Sequence, residues 1–337
     1  MTSTYSILVT GGAGYIGSHT TRVLCDAGHK VVVLDNLYSG HRWAVPQEAE
    51  FVEGNCADQE LVEQLHLAHN FDAVIHFAGY VVVPESVSNP EKYYENNIVC
   101  TLRLIEQCRR SNIDKFVFSS SAAVYGMPGM EPVDENTLPH PLNPYGRSKL
   151  ISEWTLEDFA RASKQIDTQP FRYIALRYFN VAGASLDGSI GQATKNATHL
   201  IKVACETAAG QHSAMKVFGT DYNTPDGTCI RDYIHVTDLA TAHLKALEYL
   251  GDGGESTVLN CGYGHGYSVE KVIQTCKSVS QIDFTVDKCA RRPGDSAAVV
   301  ANNSKILKTL DWKPQLDNLE LICESAWNWE KILQAKK

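Results

Sequence analysis

Residues Tyr5 to Asp35 read as strand, glycine turn, helix and strand, and that order leaves few folds open. The apolar run Tyr5 to Val9 predicts a buried strand, TGGAGYIGSH a turn, Tyr15 to Ala27 a helix beginning on the turn, and Lys30 to Leu34 the next strand. Gly12, Gly14 and Gly17 fit Gly-x-Gly-x-x-Gly, while Gly11, Gly14 and Gly17 also recur at every third residue. Glycine at such places lets the backbone approach a pyrophosphate and lets the helix pack on its strand. Asp35 follows Gly17 by 18 residues. A carboxylate at that strand end accepts hydrogen bonds from an adenosine ribose and repels a 2′-phosphate, which favours NAD over NADP.

The alternation continues with strands at Glu50 to Glu53, Ala73 to Phe77 and Lys115 to Ser119, and helices at Asp58 to His69 and Pro90 to Arg110. It predicts an α/β fold with a doubly wound parallel sheet, a Rossmann domain whose ligands gather at the carboxyl ends of the strands. After Asn180 the alternation degrades and polar, glycine-rich loops lengthen, which marks a smaller α/β substrate region. The expected division is 1–180 with 236–260 returning to it as the dinucleotide-binding domain, and 181–235 with 261–337 as the C-terminal substrate-binding domain.

NPYGRSK, from Asn143 to Lys149, carries the chemistry. Asn143 can cap a helix, Pro144 suits its first position, and apolar spacing follows through Leu150, Ile151, Trp154 and Phe159. Tyr145 and Lys149, four apart, then share one helix face. Bringing a tyrosine pKa from about 10 toward neutrality takes roughly 4 kcal/mol, and a lysine held beside the phenol works in that direction, making Tyr145 a general base. Taken alone the pair also fits a solvated i,i+4 contact. Ser121 stands where a strand opens into a loop, and its hydroxyl could share a proton with Tyr145 and a substrate oxygen, though a turn serine would look the same. His76 ends an apolar strand and reads as a buried, hydrogen-bonded histidine.

The net charge of −9 over 337 residues argues against a nucleic-acid binder, so any phosphate site is a pocket. No apolar run is long enough to span a bilayer, and no basic leader with a cleavage pattern precedes the first strand. The ten cysteines form no Cys-x-x-Cys pairs, so neither a disulfide framework nor a metal site is signalled and a cytoplasmic location is expected.

With TGGAGYIGSH, HFAG, PESVSNPEKYYENN, SSSAAVYG, NPYGRSK, ALRYFNVAGA, FGTDYNTPDGTCIRDYIHVTDLA and RRPGD in order, the chain resembles the extended short-chain dehydrogenase/reductase family, and within it the enzymes that act on nucleotide sugars. The resemblance implies a catalytic set of Ser121, Tyr145 and Lys149. It implies NAD held by Gly11, Gly12, Gly14, Tyr15, Ile16, Gly17, Asp35, Asn36, Asn55, Cys56, Phe77, Ala78, Gly79, Asn96 and Phe179, together with Tyr145 and Lys149. The implied reaction is 4-epimerisation, interconverting UDP-glucose and UDP-galactose. Tyr145 takes the 4-hydroxyl proton as hydride leaves C4, the 4-keto sugar turns over, and hydride returns to its opposite face. The run Tyr80, Val81, Val82 and Val83 after HFAG, where many members carry a lysine that can reach the cofactor, and Asn55, where an aspartate often meets the adenine, depart from the family pattern and bear on cofactor retention.

The same resemblance assigns the UDP-sugar substrate to Ser121, Asn180, His199, Leu200, Val217, Phe218, Arg231, Arg292, Asp295 and Val299. The two arginines would grip the diphosphate as guanidinium forks. Val299 occupies a pocket-wall position that is bulky in members restricted to glucose and galactose, so its small size implies that N-acetylated sugars are accepted too. The helices Pro90 to Arg110 and Tyr145 to Lys164 resemble a pair that forms a homodimer bundle, with apolar residues at Tyr94, Ile98, Leu102 and Ile105. A dehydratase on the same scaffold would place an Asp-Glu pair after the strand-end hydroxyl, where this chain has Ala122 and Ala123. A non-catalytic NAD-binding protein would not need both Tyr145 and Lys149.

Overall fold

The computed structural model describes residues 4–166, 169–195, 197–292 and 294–335. The first half comprises β1 (Ser6–Thr10), α1 (Tyr15–Asp26), β2 (Lys30–Asp35), β3 (Glu50–Glu53), α2 (Gln59–His69), β4 (Ala73–His76), α3 (Val83–Ser88), α4 (Pro90–Tyr94), α5 (Cys100–Arg110), β5 (Lys115–Ser121), α6 (Pro144–Ile166) and β6 (Arg172–Tyr178). The second half adds β7 (Asn180–Ala182), α7 (Leu200–Ala208), β8 (Met215–Phe218), β9 (Ile230–Arg231), β10 (Tyr233–His235), α8 (Val236–Gly251), β11 (Thr257–Cys261), β12 (Tyr267–Ser268), α9 (Val269–Ser280), β13 (Val286–Cys289), β14 (Ala298–Val299), α10 (Ser304–Thr309) and α11 (Leu319–Ala335).

Seven strands form one parallel sheet in the order β11-β6-β5-β4-β1-β2-β3. Its central strands β1, β2 and β4 are predominantly apolar because both faces are covered, whereas the edge strand β3 (EFVE) exposes its two glutamates. Ile7, Val9, Val31 and Val33 join one core with Leu24 of α1 and Leu239 of α8, while Leu8, Val32 and Leu34 join another with Val62 of α2, Leu104 of α5 and Leu156 of α6. Successive side chains thus go to opposite helical layers, as the two-residue period of a strand demands. Fully buried Phe116 and Phe118 each contribute roughly 2–3 kcal/mol through apolar burial.

Capping follows the sequence closely. Asp58 caps α2 by accepting from the Leu61 amide at 3.1 Å, and Asn143 caps α6 by accepting from the Gly146 amide at 2.9 Å. One expectation is corrected. The segment Pro90 to Arg110 is not a continuous α-helix, because Glu95–Val99 forms a turn of π-helix between α4 and α5. Asn97 is thereby turned inward, where it is buried. The strand ends also shift: β5 runs on to Ser121 and β2 to Asp35, so the two residues singled out close their strands.

Beyond β6 the sheets are small. β7 pairs with β10, β9 lies between β12 and β14, and β8 pairs with β13. Helices α7, α9 and α11 share a core through Ala204, Ile273 and Ile322.

Candidate active site

The crevice begins at the glycine turn between β1 and α1. Gly11 has φ of +74°, and a Cβ there would lie 2.5 Å from the Ala78 amide nitrogen. A Cβ on Gly17 would lie 2.2 Å from the Gly11 carbonyl oxygen. Gly14 begins α1 without a side-chain cap, so first-turn N–H groups remain available to an anion. Tyr15 spends its phenol on the Gly183 carbonyl at 2.6 Å, leaving the main chain of Tyr15 and Ile16 to serve the turn. This bare, close-packed cradle fits a dinucleotide pyrophosphate.

Asp35 closes β2. Its carboxylate accepts from the Ala13 amide at 3.0 Å and the Leu37 amide at 2.8 Å, which fixes it against the glycine turn. Burial raises its pKa, and those two N–H bonds oppose the rise. Each oxygen keeps a lone pair for a further donor. Asn36 is exposed beside it, and the Gly54 amide donates to the Asp35 carbonyl, bringing exposed Asn55 and buried Cys56 to the same edge.

After β4, the amides of Phe77 and Ala78 both donate to the Thr10 carbonyl, holding this loop to the end of β1. Asn97 secures the rest. It accepts from the Tyr80 amide at 2.8 Å and the Asn96 side chain at 3.0 Å, and donates to Ser148 on α6 at 3.1 Å. Gly79 passes near Lys149, for a Cβ there would sit 3.6 Å from Nζ. His76 is hydrogen-bonded to Thr10 at 2.6 Å and Thr101 at 2.9 Å, and burial depresses its pKa to about 3, so it is a neutral structural residue.

Tyr145, Lys149 and Ser121 meet where β5 faces α6. Tyr145 and Lys149 are both buried, one helical turn apart, and the Ser121 hydroxyl stands beside the Tyr145 phenol, where it favours the phenolate. Ser121 also accepts from the Ala123 amide at 3.1 Å, which orients its oxygen. Lys149 Nζ donates to the Ser119 carbonyl at 2.7 Å and lies 4.9 Å from the Phe118 ring centroid.

The electrostatics correct the simplest reading of the pair. Burial raises the Tyr145 pKa, and the Ser121 hydroxyl only partly opposes it. Burial also lowers Lys149 to about 8, with the Glu153 carboxylate holding it from falling further. Lys149 alone therefore does not make Tyr145 a phenolate. Glu153 itself is committed to Arg177 at 2.6 and 2.9 Å and to Ser120 at 2.5 Å, and Arg177 reaches Tyr125 at 3.0 Å. This buried floor was not singled out in the sequence, although Glu153 falls at the i+4 position from Lys149.

The expected substrate residues form three groups. Asn180, His199 and Leu200 line one cavity with Gly183 and Trp329. Arg231 and Val299 are register partners on β9 and β14, and Arg231 donates to the Ile230 carbonyl at 2.8 Å. Arg292 pairs with Asp295 at 2.8 Å and lies over the Phe218 ring at 4.8 Å. Val217, by contrast, is buried in the core, so Phe218 is the member of that pair facing Arg292. Phe179 packs with Val124, Tyr125, Val133 and Leu150 beside the catalytic helix. No group of three His, Cys, Asp or Glu among the described residues is placed to hold a metal ion.

A doubly wound sheet, an uncapped glycine turn and a Ser-Tyr-Lys cluster at the strand ends define a dinucleotide-binding α/β enzyme class. The chain belongs to the NAD dependent epimerase/dehydratase family, whose model matches residues 7–262. It is 50% identical over 328 residues to the UDP-glucose 4-epimerase of Azospirillum brasilense, covering 97% of this chain and 92% of that protein. A solved UDP-glucose 4-epimerase from Brucella ovis in complex with NAD is 43% identical, with a TM-score of 0.92 and coverage of 96% and 97%. The UDP-Glc/GlcNAc 4-epimerase of Campylobacter jejuni is 48% identical, with a TM-score of 0.85 and coverage of 97% and 99%. No described helix is long and apolar enough to cross a membrane.

Proposed function

We propose that this protein is an NAD-dependent isomerase that interconverts UDP-glucose and UDP-galactose at C4. The observation that carries the reading is the buried Tyr145 phenol, beside the Ser121 hydroxyl and with buried Lys149 one turn along the same helix, at the edge of the glycine-turn crevice. When bound, the oxidised nicotinamide supplies a hydride acceptor and a positive charge. Tyr145, protonated in the free protein, becomes a base under that added charge and the Lys149 ammonium. Ser121 relays the 4-hydroxyl proton to it. The Ser119 carbonyl holds Lys149 in place throughout. Configuration at C4 would invert because hydride returns to the other face of the 4-keto sugar, while Tyr145 gives the proton back to the 4-oxygen.

Further parts of the reading are proposals on the same footing. The segments 1–180 and 236–260 would hold NAD, and 181–235 with 261–337 would hold the UDP-sugar, with Arg231 and Arg292 on the diphosphate. Arg292 would exchange its Asp295 partner for phosphate oxygens. Val299 beside Arg231 leaves room for an N-acetyl group, extending the substrates to UDP-GlcNAc and UDP-GalNAc. A homodimer is supported by half-buried Tyr94, Ile98 and Leu102 and by Trp154 exposed on α6, whereas Ile105 is core. Sedimentation as a monomer at micromolar concentration would remove it. Ten free thiols are in keeping with a reducing cytoplasm. Ala122 and Ala123 after Ser121 give dehydration no acid.

The test is incubation with UDP-glucose and UDP-GlcNAc separately, followed by identification of the 4-epimers. UDP-galactose from the first supports the reaction; no product from either overturns it, and product from UDP-glucose alone rejects the role of Val299.

A further inference from the structure

The glycine turn is spanned by side chains from both of its banks. In the sheet, β1 lies between β2 and β4, so the loops after β2 and β4 stand on either side of the turn that follows β1. Both rest directly on that turn. The His41 amide donates to the Ala13 carbonyl at 2.9 Å from one side, and the Ala78 backbone crowds Gly11 from the other. Any contact between the two loops farther out must therefore cross the mouth of the crevice.

Such a contact exists. The rings of Tyr38, after β2, and Tyr80, after β4, lie 4.6 Å apart between centroids at an interplanar angle of 64°. Lys92 of α4 fastens them, with Nζ 4.9 Å from the Tyr38 centroid and 4.5 Å from the Tyr80 centroid. The same ammonium donates to the Tyr38 hydroxyl at 2.7 Å and to Glu85 at 2.6 Å. Glu85 in turn accepts from Tyr93 at 2.9 Å, tying the clasp to α4. Tyr80 is held from behind by Asn97, which also grips the catalytic helix through Ser148. The cation thus contacts one residue from each bank, and removing it leaves only the edge-to-face contact between the two rings to join the banks.

We propose that Tyr38, Tyr80 and Lys92 form a clasp that closes across the bound dinucleotide and sets its rate of release, an inference that rests on the reading of the chain as an NAD-dependent epimerase. The chemistry gives such a clasp a purpose. A reaction that returns its hydride within the same visit has no use for dinucleotide exchange, and losing the reduced form midway would strand a keto sugar. Val81, Val82 and Val83 after Tyr80 carry no charge, and Lys92 supplies a cation to that loop from α4.

The experiment follows NAD release from the purified holoenzyme after dilution into an enzymatic scavenger of free NAD. Lys92→Met, which keeps the stem and removes the cation, and Tyr38→Ala, on the opposite bank, should each release NAD about ten-fold faster than the unaltered protein. Lys92→Arg, with a cation still over both rings, should keep release slow. Release at the unaltered rate in both Lys92→Met and Tyr38→Ala overturns the clasp. So does faster release matched by a fall in the thermal midpoint of the NAD-free variants, which would mean general loosening. An unaltered protein that binds no NAD would instead sink the cofactor reading on which the clasp depends, a result distinct from variants that bind it and release it no faster.

Discussion

Lys149 on α6 and Lys202 on α7 are buried almost equally, at 3% and 6% exposure, yet they are partnered in opposite ways. Lys202 lies 2.5 Å from Glu330 across the α7–α11 contact and 3.4 Å from Glu206 one turn along its own helix, so its charge is matched by carboxylates. Lys149 donates to a carbonyl, and the nearby Glu153 carboxylate is already bound to Arg177. A buried ammonium without its own carboxylate is costly, which is why its pKa falls to about 8. The difference separates a lysine that holds structure together from one whose charge is kept for chemistry.

The comparison breaks most sharply at turnover. Lys149→Met should lower kcat by about 10²–10⁴-fold while leaving the unfolding midpoint unchanged or higher, because the buried charge is gone. Lys202→Met should do the reverse. It leaves Glu330 buried beside Gln211 without its cation, at a stability cost of about 3–5 kcal/mol, while kcat stays near the unaltered value. Urea unfolding and initial rates on both variants check this, and equal loss of activity in the two would erase the distinction.

A smaller effect follows from pH. Because the folded pKa of Lys149 is about 8, below its ordinary 10.5, the charge is present below about pH 8 and lost as pH rises through it. The kcat/KM of the unaltered enzyme should fall on that alkaline limb, about ten-fold per pH unit at the steepest. Lys149→Arg, which stays protonated, should move the limb upward even at reduced rate. For stability the sign is opposite: the unfolded chain binds more protons between about 8 and 10.5, so this residue's penalty on folding disappears as pH rises through that window. The smallest change concerns the sugar. Val299→Tyr should lower kcat/KM for UDP-GlcNAc by about 10–100-fold relative to UDP-glucose, measured by competing the two substrates.

The sheet was legible because parallel strands covered on both faces are written as short apolar runs between glycine, Asp and Asn signals, as in SILVT and KVVVLD. The glycine turn and the Asn143-Pro144 helix start were legible for the same local reason. What escaped was set by long-range packing. The π-turn at Glu95–Val99 has no breaker residue in its sequence, and it exists where Asn97 must reach Tyr80 and Ser148. The raised Tyr145 pKa depends on how deeply two helices and a strand bury the phenol, which the four-residue spacing from Lys149 cannot state. The Glu153–Arg177 pair joins residues 24 apart, and only the β5–β6 register brings it under Ser120.

The central claim is that the Tyr145 hydroxyl moves the proton of the sugar 4-hydroxyl. The most direct measurement is conversion of UDP-glucose to UDP-galactose by Tyr145→Phe set beside titration of the same protein with NAD. The account predicts that NAD binds within a few-fold of its unaltered affinity while epimerisation falls by about 10²–10⁴-fold. Turnover at the unaltered rate with NAD bound would contradict it.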